Sequence, residues 1–350
     1  MKNLGEAHRL SNESCQACGT QLIWQANFCG TCGERSQRYS RLRMTVLLFL
    51  GVLIVLTTGL SVEAAYPRRA SPSEPTSVSP EFNPFQSFES PPITFCSNRS
   101  GNWDVYTMRI DGTGIQQLTH NVGSDGTPAW SPDRKHLIFT SDRDGNWEIY
   151  VIDHDGENER RLTQHVADDL GPSWSPDGNQ IVFSSNRDGD FELYRMDLMG
   201  DDLQQLTNNS ADDTSPAWSP EGARLVYSRW LDGQWDLFQL RLEDGLIEHL
   251  TDTPFDEWRP AWSPDGEWIT FSSNPTGNWD IYTMRSDGSE LRQLTFDSAM
   301  DWRSVWSPDG SWILFLSERD GNREVYRMRQ DGKDLTRLTS DPGVDCGVDW

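Results

Sequence analysis

Positive charge is scarce in this chain: 30 Lys and Arg stand against 54 Asp and Glu in 350 residues, a net charge of −24. The deficit is local, since residues 1–92 hold 8 basic and 7 acidic residues and the rest holds 22 against 47. A segment that acidic is a poor partner for nucleic acid or anionic lipid, and leaves cationic segments, cations and neutral polymers open. Catalytic motifs are missing too. There is no G-x-S-x-G elbow and no H-E-x-x-H. His120, His136, His154, His165 and His249 fall at unrelated phases of the repeat described below, which argues against one shared metal or catalytic cluster. Asp153-His154-Asp155-Gly156 lacks the remaining ligands of a calcium loop and reads as a turn.

What is present is periodic. Tryptophan returns every 44 residues, at Trp130, Trp174, Trp218, Trp262, Trp306 and Trp350. Leu118-Thr119, Leu162-Thr163, Leu206-Thr207, Leu250-Thr251, Leu294-Thr295 and Leu338-Thr339 keep the same step, as do Tyr106, Tyr150, Tyr194, Phe238, Tyr282 and Tyr326. Such a period marks a repeat array in which one unit cannot bury its apolar face alone. Within a unit no stretch sustains a 3.6-residue apolar spacing. In residues 181–194 two short apolar runs flank the turn Asn186-Arg187-Asp188-Gly189, which is a hairpin. A strand through Trp174 precedes it and a last strand ends at Leu206-Thr207, so each unit offers four strands of about five residues. The fold class is all-β, a six-bladed β-propeller of four-stranded blades spanning residues 92–350.

The succession P-x-W-S-P-D-G, an I-x-F-x-S type strand, R-D-G-N, I-Y-x-M, D-G and L-T resembles the TolB-like propeller repeat, and is similar to propellers that accompany some serine peptidases. WD-repeat propellers are less similar, because the Gly-His and terminal Trp-Asp marks are absent. The resemblance covers about 260 residues. TolB-like proteins carry an α/β domain ahead of the propeller; none is legible here, so its partner-binding role is not carried over.

The first unit lacks its P-x-W-S-P-D-G strand, and Val344 to Trp350 supply it, so the C-terminal strand is expected to complete the first blade. Register then places Gly126 near Thr140, and one period away Cys346 near Cys96. A disulfide between Cys96 and Cys346 is expected to clasp the ring, stabilising it by at most about 5 kcal/mol on chain-entropy grounds; two free buried thiols are the alternative.

A disulfide implies an oxidising compartment. Residues 44–62 form an uncharged apolar run at the lower limit of a membrane-spanning helix. Arg35, Arg38, Arg41 and Arg43 precede it and Arg68 and Arg69 follow, which puts the N-terminus in the cytoplasm and the propeller in the periplasm or outside the cell. A cleaved signal peptide ending near Val62-Glu63-Ala64 is the rival. Residues 63–91 are a Pro/Ser-rich linker. Residues 1–35 carry Cys15, Cys18, Cys29 and Cys32, two C-x-x-C knuckles that suit a structural zinc ion in a short ribbon; a redox dithiol pair is the other possibility.

Positions that recur in all blades are explained by the fold; departures from the repeat point to a ligand. Arg99, Arg143, Arg187 and Arg319 each precede an acid by five residues, namely Asp104, Glu148, Glu192 and Glu324, and a hairpin-spanning ion pair would account for that. Asp236 and Asp280 keep the acid while Leu231 and Pro275 replace the arginine. Six acids, Asp125, Asp169, Asp213, Glu257, Asp301 and Asp345, stand five residues before the tryptophans. They are expected either to ring one channel mouth, where they would hold a divalent cation or a cationic segment, or to accept bonds within their own loops. Trp258-Arg259 and Trp302-Arg303 occupy matching positions in adjacent blades, where the others have Gly126-Thr127, Leu170-Gly171, Thr214-Ser215 and Cys346-Gly347. Paired Trp and Arg is a hot-spot composition, so these four residues are the candidate patch for a protein or peptide partner; filling between blades is the alternative. Arg229-Trp230-Leu231 is a weaker departure. The functional expectation is a membrane-anchored binding or scaffold protein. A metal-dependent lyase or hydrolase using the acidic mouth, and a sensor relaying to the zinc ribbon, are the rivals.

Overall fold

The computed structural model describes residues 92–350. The zinc ribbon with Cys15, Cys18, Cys29 and Cys32, the apolar run 44–62 and the linker 63–91 lie outside the described residues. Among the described residues no helix is long and apolar enough to cross a membrane.

The chain from Ile93 on forms 24 strands in six four-stranded sheets, each an antiparallel meander. In blade 2 the strands run Asp125–Trp130, His136–Ser141, Glu148–Asp153 and Arg160–Arg161, from the inner strand outward. Blade 1 takes its inner strand, Asp345–Asp349, from the far end of the chain and pairs it with Ile93–Ser97. Gly126 faces Thr140 and Cys96 faces Cys346 in the expected register. Cys96 and Cys346 are disulfide-bonded across 250 residues of chain. Both are fully buried against Trp103.

The repeated residues join each blade to the one before it. Trp174 packs on Ile138, Ile149 and Val151 of blade 2, and its Nε1 donates to the carbonyl of Ala129. Trp130 lies on Val105 and Leu118 of blade 1, Trp218 on Val182 and Leu193 of blade 3, and Trp350 closes the circle on Leu314, Leu316 and Val325 of blade 6. A buried indole removes some 150–250 Å² of mostly apolar surface from water, so the same joint is made six times.

The Leu-Thr mark has two tasks. Its threonine hydroxyl accepts a bond from the third strand's backbone, as in Thr163 with the N–H of Ile149 and Thr207 with that of Leu193. Its leucine carbonyl is pressed by the glycine of a turn in the next blade: a Cβ on Gly200 would stand 2.3 Å from the Leu162 oxygen. Gly200 has φ +81°, so both space and backbone demand glycine there.

Blade 4 departs from the pattern. Its second and third strands, Arg224–Leu231 and Gln234–Arg241, are eight residues long and joined by Asp232-Gly233, both at positive φ (51° and 97°). That is the geometry of a tight two-residue hairpin turn.

Candidate binding channel

Five inner strands contain a one-residue bulge just before the proline or its equivalent, and the pairing of blade 1 breaks at the same level. The bulge residues are Thr127, Gly171, Ser215, Arg259, Arg303 and Gly347, all in the left-handed region with φ between 44° and 58°. A bulge re-aims its side chain and sharpens the local twist. Here the six bulges encircle the axis, and a cavity of about 290 Å³ runs along it. Thr127, Gly171 and Ser215 line one side, Arg259 and Arg303 the other, with Asp349 the carboxylate among the lining residues.

The six acids open each inner strand, but their side chains are turned away from this cavity. None is among its lining residues, and all are at most 2% exposed. Asp125, Asp169, Asp301 and Asp345 accept bonds from Arg143, Arg187, Arg319 and Arg99 of their own blades, at 2.7–3.1 Å. Each of these arginines also donates Nε to a serine two residues earlier, as Arg187 does to Ser185. It lies over a Phe/Tyr pair of the blade, as Arg187 does over Phe183 and Tyr194 at 5.5 and 4.7 Å. The expected pairing of these arginines with Asp104, Glu148, Glu192 and Glu324 is therefore corrected. Those acids are taken by the outer edge instead: Glu148 by Arg161, Glu324 by Arg337, Asp104 by Ser100 and Gln117, Glu192 by Asn209. Both sets of acids are buried, so each needs its own partners: the inner set takes the hairpin arginine, and the other set takes an arginine, amide or hydroxyl from its own outer edge.

In blade 4 Leu231 replaces the usual arginine, yet Asp213 is not abandoned. Arg229, in the place of the usual serine, reaches it with Nε and Nη2 at 2.6 and 2.7 Å. Blade 5 has Ser273 and Pro275 at these two positions, and among the described residues Glu257 has no arginine partner. The Thr253 hydroxyl donates to it, one of its oxygens is buried without a partner, and burial pushes its pKa up to about 7. Burial also raises Asp169 and Asp301, and lifts Asp345 to about 6 against the pull of Arg99.

Among the described residues no group of three or more His, Cys, Asp or Glu is arranged to hold a metal ion.

The four patch residues divide. Trp258 is buried, stacks on Trp235 at 6.2 Å and meets Trp279 at a tilt of 56° and 6.5 Å, with Trp230 edge-on to Trp235 at 5.4 Å. The departure at Arg229-Trp230-Leu231 and the one at Trp258 are thus parts of one cluster between blades 4 and 5. Trp302 is buried opposite Leu316 and carries the Arg323 guanidinium at 4.9 Å. These indoles fill the layer that the disulfide fills in blade 1. Arg259 and Arg303, one residue on, face the channel. Arg259 also lies over the Trp258 ring at 4.5 Å, so the pair grouped from the sequence stays in contact in blade 5, whereas in blade 6 the cation over Trp302 is Arg323. Asp349, which accepts from the backbone N–H of Trp130, was missed although it is a departure from the repeat, standing where the other blades have Ala129, Ser173, Ala217, Ala261 and Val305.

A closed ring of six bulged meanders built on this 44-residue unit can be compared with known proteins. Residues 143–259 and 214–347 match the TolB beta propeller domain. The chain belongs to the TolB β-propeller family. TolB from Acinetobacter baumannii is similar in fold at 22% identity and a TM-score of 0.68, over 73% of this chain and 65% of that one. A putative TolB from Agrobacterium tumefaciens is similar at 24% identity and a TM-score of 0.61, over 73% and 90% of the two chains. The tricorn protease shares the propeller at 18% identity and a TM-score of 0.56, over 67% of this chain and 24% of that one. No curated protein matches the chain in sequence. As a TolB-family propeller the chain thus spans less than two thirds of the Acinetobacter protein's length.

Proposed function

We propose that this protein is a membrane-anchored binding or scaffold protein of the cell envelope, whose propeller meets a protein or peptide partner at its channel. The observation that carries the proposal is the channel itself: all six inner strands contribute to one solvent-open cavity, and its lining departs from six-fold symmetry at Arg259 and Arg303. Membership of the TolB propeller family and a disulfide suited to an oxidising compartment are consistent with it. The apolar run at 44–62 would be the anchor, with Cys15, Cys18, Cys29 and Cys32 holding structural zinc on the cytoplasmic side. The acidic ring gives little support to a metal-dependent lyase or hydrolase, because its carboxylates are buried and five are bound by arginine.

Crosslinked capture from a cell-envelope extract tests the proposal. The full-length protein is compared with Ser173→Trp, which narrows the channel from blade 3. Proteins held by the wild type and lost in the variant are expected; equal recovery of all of them would remove the channel as the binding site.

A further inference from the structure

Two cations share the channel of a molecule that is otherwise strongly acidic. Arg259 and Arg303 stand at the left-handed bulge of adjacent blades, with φ 56° and 57°, where two of the other four blades have glycine. A side chain in this conformation is strained, and a second guanidinium in the same narrow cavity adds repulsion. The charge is not needed to build the ring, since Thr127 and Ser215 make the same bulge without it, and Gly171 and Gly347 make it without either cost.

Arg303, in blade 6, is held between the two neighbouring blades. Its backbone N–H donates to Ser272 of blade 5, and its guanidinium lies close to Gly347 of blade 1. A Cβ on Gly347 would stand 3.0 Å from Nη2 and 3.1 Å from Cζ, so glycine there leaves room for the arginine. Nη1 of Arg303 is buried with no hydrogen-bond partner among the described residues. An unfilled buried donor is costly, and more so when it is charged. Asp349 offsets part of the charge, but it already accepts from Trp130. Burial and the neighbouring Arg259 hold the Arg303 pKa well below its ordinary value, which marks the site as short of negative charge.

We propose that the channel seats one carboxylate of a peptide partner against Arg303 and Arg259, the carboxylate being flanked in that partner by basic residues. The inference rests on the reading of the channel as a protein-binding site. A planar carboxylate matches the fork of donors on a guanidinium, and the bond is charge-assisted. The cavity of about 290 Å³ has room for a single side chain or a chain terminus. Basic flanks follow from the field of the whole propeller, because a body with 47 acids against 22 bases repels a wholly acidic segment and steers a cationic one towards the mouth.

The test uses the full-length protein and three probes in calorimetric titration: the acetylated, amidated tripeptide Lys-Glu-Lys, its Lys-Gln-Lys counterpart, and free glutarate. The glutamate peptide is expected to bind at least tenfold more tightly than the glutamine peptide. Arg303→Gln and Arg259→Gln should each remove that preference while leaving the melting temperature unchanged or raised, since each takes a crowded cation out of the channel. Equal binding of the two peptides, or an undiminished preference in both variants, would overturn the proposal, as would binding of glutarate without the peptide. Failure here alongside loss of capture in Ser173→Trp would leave the channel as the binding site and remove only its anionic ligand. If Ser173→Trp is also without effect, both readings fall.

Discussion

Blades 3 and 5 bury an acid at the same point of the same strand and treat it differently. Asp169 is 0% exposed and takes two bonds from Arg187. Glu257 is 2% exposed and has hydroxyl groups in place of the arginine. The aromatic pair beneath is retained in both, Phe183 on Tyr194 and Phe271 on Tyr282, each at 6.0 Å. The blade therefore does not need the ion pair in order to form. What it needs is that a buried carboxyl be either compensated or neutral, and the two blades use one solution each.

Removing the arginine breaks the comparison hardest. Arg187→Ala leaves Asp169 buried without its cation, and losing one partner of such a pair costs about 3–5 kcal/mol. The loss should be largest near pH 8 and shrink as the pH falls and Asp169 takes up a proton; urea unfolding at pH 8 and pH 5 reads both. A loss below 1 kcal/mol at pH 8 would mean that the pairing is incidental.

Glu257→Gln should act in the opposite direction. With a folded pKa of about 7 against about 4.3 unfolded, Glu257 binds a proton on folding between those values. Its charge thus costs nothing below pH 4, and the cost grows as the pH rises to 7 and stays constant above. The variant is expected to gain about 2 kcal/mol at pH 8 and nothing at pH 4. A destabilised variant at pH 8 would show that the charged form is held by something stronger than hydroxyl groups.

The smallest effect sharpens the comparison by grafting. Pro275→Arg places a guanidinium where blade 3 has Arg187, and it should lower the Glu257 midpoint, followed by carboxyl-selective NMR, while changing stability at pH 8 by under about 1 kcal/mol. An unmoved midpoint would mean that the turn in blade 5 cannot deliver the arginine.

The blade count, the closure by residues 344–350 and the pairing of Cys96 with Cys346 were legible because they depend on period and register, which a sequence displays directly. The acid–arginine pairs were not. Asp169 and Arg187 lie 18 residues apart on either side of a hairpin, and the nearer Glu192 offered a simpler partner. One signal was available, since Arg229 enters the fourth unit where Leu231 removes the usual arginine, as expected if Asp213 must be matched. That Arg259 and Arg303 line the channel was hidden for a different reason. An alternating strand would already place neighbours on opposite faces, but which face meets the channel depends on a bulge with no sequence mark except glycine at two of six positions.

The inner strand of blade 1 is made last, and this sets a schedule for biogenesis. Ile93–Ser97 leave the ribosome about 250 residues ahead of their partner, an interval of roughly 10–50 s at ordinary synthesis rates. Throughout that wait the first wedge has an open, apolar edge of the kind that recruits other strands. Five finished wedges must hold their arc so that the late ribbon finds its slot, and the thiols can be oxidised as a native pair only after it has docked. A nascent chain stalled a few residues short of Val344 should thus still expose Cys96 to alkylation, with most of the circle already in place around it.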